Sequence, residues 1–254
     1  DTSTGSTIKP LPMLLMAPVA RAGDAAPFIW LTLARTALLL VPVAAWRLGD
    51  VVGGRPTAWL SAAGAALVPV LFDAGVNGYT EPLVALLIVG ALICLFTDRT
   101  TSALYLVAAA GLMRPEAWPF AAALAIWGIR TGGLRPSAAA LAAFLPPTAW
   151  ALLSWWGSGT PFGGASGTVS LRGTGDVFAP LVSGASAAAT MGFVIGCALA
   201  VQRRERRVLL VACCAVGWIA LVAVLTAAGF SGNVRYGAPA QVLVAVVWAW
   251  WLAQ

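Results

Sequence analysis

Histidine is absent from this chain of 254 residues, lysine occurs once, and charge is scarce, with 15 basic and 9 acidic residues. The lack of histidine excludes a histidine general base, a histidine-ligated zinc and a histidine-ligated haem. Charged residues make up only 9% of the chain, against roughly 25% in an average soluble domain. That number is too small to cover the surface of a water-soluble protein of this size, so the composition excludes a soluble enzyme.

Cysteine is also rare, and the sequence shows no sign of a secretory leader. All four cysteines fall inside apolar runs, where we expect them to act as small buried hydrophobic side chains. The chain begins at Asp1 with neither an initiator methionine nor a basic segment followed by an apolar one. We interpret it as an internal piece that lacks an earlier membrane span.

Apolar sequence is what the chain has in abundance, at 60% of its residues. Because about 20 apolar residues cross a bilayer as a helix, the pattern predicts an all-α, polytopic transmembrane bundle. Neither a soluble-domain linker nor a repeat is visible, so residues 1–254 are predicted to form a single transmembrane domain. The nine predicted spans are 27–46, 57–72, 82–97, 102–113, 116–129, 137–156, 179–201, 209–229 and 238–254.

The arginines between these spans predict the orientation. Alternation of the spans places most of them on one side, which the positive-inside rule makes cytoplasmic in a bacterial plasma membrane. Residues 1–26 and 157–178 then lie outside, the first as a loop with a short interfacial helix at 11–19. The net charge of +6 therefore reads as a topology signal, and we expect no nucleic-acid partner.

The tripeptide Arg114-Pro115-Glu116 separates two apolar runs and predicts a hairpin. Each arm rises only about 18 to 21 Å, against about 30 Å for the hydrocarbon core. A charged tip at that depth must be paired or must line a water-filled cavity. Two interpretations follow: a functional site, or a buried pair of Arg114 with Glu116 or another carboxylate that only locks the hairpin.

Other charged and aromatic residues share the outer side of the predicted topology. Lys9 is placed either to bind an anionic headgroup or to snorkel. Arg235, beside Tyr236, is either a phosphate ligand or an interface anchor. We expect Lys9, Arg114, Glu116 and Arg235 to converge on one outward-facing cavity. Three further outer residues are predicted to have an acceptor-binding or a structural role: Asp73, Glu81 and Trp118.

The order of these motifs resembles the C-type membrane glycosyltransferases. The elements are Lys9-Pro10 before an interfacial helix, Glu81-Pro82 opening a span, Arg114 to Glu116, and Arg235-Tyr236. More narrowly, the chain is similar to multispan actinobacterial proteins of the protein mannosyltransferase and aminoarabinose transferase branch. The resemblance covers nearly the whole chain, although each motif is two or three residues long.

The resemblance implies a fold, a substrate and roles for individual residues. In that superfamily a polyprenyl-phosphate sugar enters from the membrane, an outer-loop aspartate is the general base, and basic residues hold the lipid phosphate. Asp1 would then match the base and Lys9 the lysine of the Lys-Pro element, while the paired acidic residues of the family are not visible. Some members use a divalent cation, which here would be Mg or Mn held by oxygen ligands.

The residue chemistry is compatible with the same reaction. Displacing a phosphate needs cations for the developing charge and a carboxylate for the acceptor proton, and Lys9, Arg114, Arg235 with Tyr236 are the expected donor-binding residues. Asp1 and Glu116 are the expected catalytic carboxylates of an inverting transfer to a cell-envelope or lipid acceptor. The alternative is a non-catalytic protein, either a transporter or flippase for anionic lipids or a scaffold with membrane-protein partners.

Overall fold

The computed structural model describes residues 9–159, 187–228 and 233–254. Regular structure within these ranges is entirely helical, which confirms the all-α prediction for the described part of the chain. Three short 3-10 turns, Ala20–Ala25, Pro115–Ala117 and Val234–Gly237, connect longer helices. The α-helices are α1 (Pro10–Val19), α2 (Ala26–Ala66), α3 (Pro69–Val76), α4 (Glu81–Phe96), α5 (Thr100–Gly111), α6 (Trp118–Arg130), α7 (Pro136–Ser158), α8 (Ala187–Arg203), α9 (Arg206–Ala227) and α10 (Ala238–Leu252).

Proline marks where most of these helices begin. Seven of them, α1 to α4, α6, α7 and α10, carry a proline in the first two positions. A proline is favoured there because the first amide groups of a helix have no intrahelical acceptor and the fixed φ of proline already suits the helix. The prolines therefore divide a nearly continuous apolar sequence into separate helices.

Helix α2 is a hairpin of two antiparallel arms. Its backbone leaves helical geometry at Gly54, with φ +79° and ψ −172°. The Trp46 and Trp59 rings lie 6.1 Å apart, whereas 13 residues of straight helix would separate them by about 20 Å. A Cβ on Gly49 would lie 2.9 Å from the Cα of Ala58, so the arms approach closely where glycine allows it.

The prediction of one continuous span at 57–72 is wrong. The second arm of α2 ends at Ala66, and Pro69 starts a separate helix, α3. Val68, just before Pro69, is extended at ψ 105°, because the residue before a proline is disfavoured in helical geometry. The apolar stretch is therefore two short helices.

Three described segments are long and apolar enough to cross a membrane: Pro10–Ala66, Pro136–Gly157 and Arg206–Ala227. The first of them contains the reversal at Gly54. Shorter apolar helices pack among them, including Glu81–Phe96 and Thr100–Gly111. Length and composition therefore indicate a membrane protein, of which three spans are supported directly.

Helix α4 connects two ends of the bundle that both carry charged side chains. It packs against α2, α5 and α10 around the main hydrophobic core, and its 16 residues rise about 24 Å. At its start, Glu81 contacts Arg114. At its other end, Arg207 lies 5.9 Å from the ring of Phe96 and donates a hydrogen bond of 2.9 Å to the Val51 carbonyl.

Helix α1 covers the predicted position of the interfacial helix at 11–19. The amide of Leu11 donates a hydrogen bond of 3.2 Å to the carbonyl of Leu112. Helix α1 is thereby attached to the end of α5, beside the turn that carries Arg114. This attachment brings the residue before α1, Lys9, to the same end of the bundle as Glu81.

Candidate functional site

Charged side chains from four separate parts of the chain meet at the start of α4. Lys9 precedes α1, Glu81 begins α4, Arg114 and Glu116 lie between α5 and α6, and Arg235 lies in the turn before α10. We call these five residues the charged cluster. They carry three basic and two acidic groups, in a region enclosed mainly by apolar helices.

Arg114 and Glu81 form the centre of the charged cluster. Pro115 follows Arg114, whose backbone is extended at φ −147° and ψ 125°, as expected before proline. This conformation ends the first arm of the hairpin and directs the arginine inward. Arg114 is 5% exposed and Glu81 is 1% exposed, and the guanidinium Nη2 pairs with the Glu81 carboxylate. The buried pair considered from the sequence is therefore present, with Glu81 as the partner.

Arg235 contributes a second cation to Glu81 and lies against two tyrosine rings. Its Nε is 3.3 Å from Oε1 of Glu81. Its guanidinium carbon lies 4.0 Å from the ring centroid of Tyr79, and that of Arg114 lies 3.7 Å from the ring of Tyr236. Contact with aromatic faces stabilises a desolvated guanidinium. The tyrosine rings therefore stabilise both arginines, of which Arg114 is buried and Arg235 is partly exposed.

Lys9 lies beside these arginines and donates a hydrogen bond of 2.9 Å from Nζ to the hydroxyl of Thr80. Its pKa is lowered from the usual 10.5 to about 7, chiefly by burial and then by repulsion from Arg114 and Arg235, against attraction from Glu116. Near neutral pH the lysine is therefore balanced between its two protonation states. An anion bound nearby would favour the ammonium form.

The lowered pKa of Lys9 predicts how stability changes with pH. Below pH 7 both the folded and the unfolded protein hold the proton, so the full cost of burying the ammonium applies. Between pH 7 and 10.5 the unfolded chain holds more protons, and the folded state gains stability as pH rises. Relative to Lys9→Met, we expect the free energy of unfolding of the parent to rise by about 1.4 kcal/mol per pH unit in this window.

Unfolding of the parent and of Lys9→Met in detergent micelles, from pH 6 to pH 10, measures this difference. The subtraction removes groups such as the tyrosines, which titrate in both proteins. Two parallel stability curves would show that the Lys9 pKa is not lowered.

Glu116 is buried without a complete set of hydrogen-bond partners. It lies in the 3-10 turn Pro115–Ala117 and is 4% exposed, and its Oε2 finds no hydrogen-bond partner in the described part of the chain. A buried polar atom without a partner costs free energy and is uncommon in folded proteins. Glu116 therefore offers a carboxylate oxygen to a ligand, among three neighbouring cations.

The remaining predicted site residues lie apart from the charged cluster or outside the described residues. Asp1 lies outside them. Asp73 is exposed within α3, and its Oδ1 accepts a hydrogen bond of 3.0 Å from Asn77. Trp118 donates to the Gly111 carbonyl at 2.9 Å, and Trp150 donates to the same oxygen at 3.0 Å. For Trp118, this contact agrees with a structural role, which was the alternative to acceptor binding.

Thr80 and Tyr79 contact the charged cluster, although neither is among the site residues predicted from the sequence. Both occupy the turn between α3 and α4, immediately before Glu81. In the sequence, their position directly before Glu81 was the feature that could have indicated a role in the cluster. A hydroxyl and an aromatic ring carry little information on their own, so only the folded chain reveals which cations they contact.

The described residues do not form a site suited to Mg or Mn. No group of three or more acidic, cysteine or histidine side chains is found within residues 9–159, 187–228 and 233–254. Glu81, the best-placed carboxylate, already pairs with two arginines. Oxygen-ligand sites for these ions normally gather several carboxylates or carbonyls, so we assign no metal-dependent step.

Lys9, Arg114, Glu116 and Arg235 do lie together at the start of α4, while their lining of one outward-facing cavity stays a prediction. A large groove of about 720 Å³ lies toward the other end of α4, where it is lined mainly by apolar side chains of α4, α5, α6 and α9. This groove could not be predicted from the sequence, because its walls come from helices whose apolar faces look alike.

No protein-family model, curated protein or solved structure matches this chain.

Proposed function

We propose that this protein is a glycosyltransferase of a bacterial plasma membrane, with the charged cluster on the extracytoplasmic side of a nine-span bundle like that of the C-type enzymes. It moves a sugar from a polyprenyl phosphate to a cell-envelope or lipid acceptor. The observation that carries the proposal is Glu116, a buried carboxylate with an unpartnered oxygen, set among Lys9, Arg114 and Arg235.

The cations suit a lipid-linked phosphate. Lys9 and Arg235 retain donors that are not used by Glu81, and both lie at the cluster's less buried side. Ammonium and guanidinium groups bind phosphate by charge-assisted hydrogen bonds. They would stabilise the negative charge that develops on the leaving phosphate. Arg114, held by Glu81, acts as a positioning residue.

Among the described residues, we assign Glu116 as the carboxylate that accepts the proton. The acceptor hydroxyl gives its proton to Glu116 while its oxygen attacks the anomeric carbon of the sugar. The bond between that carbon and the phosphate oxygen breaks, and its electron pair stays on the phosphate, next to Lys9 and Arg235. One direct displacement of this kind inverts the anomeric configuration.

A non-catalytic membrane protein is the alternative, with an anionic lipid or another membrane protein as its partner. The observation that favours it is the ion pair of Arg114 with Glu81, which is fully buried and already neutral in sum. A scaffold would bury its charges in static pairs of this kind. Such a protein would have no need of the unpartnered Glu116.

Transfer by the purified protein distinguishes the two functions. We would incubate it in nanodiscs with radiolabelled polyprenyl-phosphate mannose, arabinose or glucose and with envelope acceptors. Labelled acceptor is the expected result. Absence of transfer from all three donors, with the protein folded, would favour the non-catalytic alternative.

Polyprenyl-phosphate binding tests the cations separately. Loss of one partner from a buried charged contact costs about 2 to 5 kcal/mol, so Lys9→Met and Arg235→Gln should each weaken binding by roughly 30-fold to several thousand-fold. Arg130→Gln, at the exposed end of α6, is the matched control and should bind like the parent. Equal binding by all four proteins would contradict the phosphate site.

The orientation has its own test. A single cysteine at position 130, introduced into a cysteine-free background, should be protected from a membrane-impermeant thiol reagent in intact cells. Reaction from outside would place the arginine-rich end outside and contradict an extracytoplasmic charged cluster.

A further inference from the structure

The groove at the far end of α4 combines an apolar interior with a charged rim. Its walls include Leu92 and Phe96 of α4, Phe120 and Trp127 of α6, and Trp218 of α9. Its volume of about 720 Å³ lies in the range of roughly 300 to 1,000 Å³ that is usual for small-molecule sites. An apolar groove between membrane helices is suited to a hydrocarbon chain.

The polar lining of the groove comes from three charged residues. Arg206 and Arg207 begin α9, and Asp98 lies just after α4. Arg207 is fixed at this rim by its hydrogen bond to the Val51 carbonyl and by the ring of Phe96. The adjoining turn adds Arg203 and Arg204 against Glu205. The rim is therefore positive in sum and lies directly beside an apolar space.

We propose that this groove binds an anionic glycerophospholipid, with one acyl chain in the groove and the phosphate on Arg206 and Arg207. The distribution of charge favours an anionic lipid over a zwitterionic one, because arginines outnumber the acidic groups around the rim. Guanidinium groups bind phosphate through several donors at once. Helices α4, α5, α6 and α9 then hold a structural lipid at the end of the bundle remote from the charged cluster.

The site is independent of the proposed transfer reaction. The rim lies about 24 Å along α4 from Glu81, and the groove-lining residues do not include any member of the charged cluster. A protein without transferase activity would still bind this lipid. Failure of one proposal therefore leaves the other untouched.

Native mass spectrometry of the delipidated protein in detergent, titrated with phosphatidylglycerol or with phosphatidylcholine, tests the proposal. We expect one phosphatidylglycerol to bind to the parent with about 10-fold or greater preference over phosphatidylcholine. Arg206→Gln and Arg207→Gln should each weaken phosphatidylglycerol binding by about 10-fold, the usual scale for loss of a charge-assisted hydrogen bond. Arg135→Gln, an exposed arginine at the start of α7 that does not line the groove, is the charge-matched control.

A second variant tests the acyl-chain part without changing charge. Ala123 lines the groove and is exposed, so Ala123→Trp should fill the groove and abolish the bound lipid without overpacking the core. Ala140→Trp, at an exposed alanine of α7 outside the groove, should leave binding intact. Equal binding of both lipids, or lipid retained by Ala123→Trp, would overturn the proposal. The Arg206 variant covers the case in which loss of the Arg207 contact to Val51 unfolds the protein.

Discussion

Glu81→Gln should lower the free energy of unfolding by about 3 to 5 kcal/mol, the usual cost of breaking a buried ion pair by removing one partner. The carboxylate is 1% exposed and is shared by Arg114 and Arg235. Glutamine preserves the size of the side chain but removes the carboxylate that pairs directly with both guanidinium groups. Unfolding of the purified protein in mixed micelles, followed by near-ultraviolet circular dichroism, measures the loss.

Two further variants test whether the loss of stability comes from the buried ion pair. Asp73→Asn removes an exposed carboxylate and should change stability by less than about 0.5 kcal/mol. Glu81→Gln combined with Arg114→Gln removes both charges of the central pair and should recover part of the stability, because an uncompensated buried cation is the main cost. If the Glu81→Gln protein is as stable as the parent, the buried pair does not hold the hairpin in place.

Glu116→Gln should reduce sugar transfer by about 10²- to 10⁴-fold, the usual contribution of a general base. The substitution preserves shape and removes the ability of the side chain to take the acceptor proton. Polyprenyl-phosphate binding should be retained, because Lys9 and Arg235 remain in place. Initial rates at saturating donor, combined with donor binding measured in the same nanodiscs, separate loss of chemistry from loss of binding.

The matched control for this loss is Glu205→Gln, an exposed carboxylate at the other end of the bundle. Its rate should equal that of the parent. If the Glu116→Gln protein transfers sugar normally, Glu116 is not the general base of the proposed reaction and has a structural role.

Most helix boundaries could be predicted from the sequence because local chemistry determines them. Pro136 begins α7 one residue before its predicted start, and α6 ends at Arg130, one residue beyond its predicted end. The break at Pro69 was missed because a proline inside an apolar run is compatible with a kink, an ending or a new first turn. Only packing of the neighbouring helices selects between these.

The charged cluster could be predicted in part. Sidedness alone places Lys9, Arg114 and Arg235 at one end of a bundle. The partner of Arg114 could not be assigned, because Glu116 is two positions away, and residues at that spacing do not face each other in a helical turn. Glu81, 33 positions earlier in the chain, becomes the partner through the packing of α4 against α5. The groove was missed for the same reason, since it exists only between helices.

The two indole hydrogen bonds to Gly111 have a consequence for where α5 can end. Its 12 residues rise about 18 Å, well short of a hydrocarbon layer of about 30 Å. The last carbonyls of a helix lack partners within it, and hydrocarbon supplies no water in their place. Trp118 and Trp150 occupy both lone pairs of the Gly111 oxygen, while the Arg114 amide donates to the Ala110 carbonyl at 2.8 Å. Protein donors thereby take the place of water at the end of α5, and the helix can stop directly beside Arg114 with its last carbonyls satisfied.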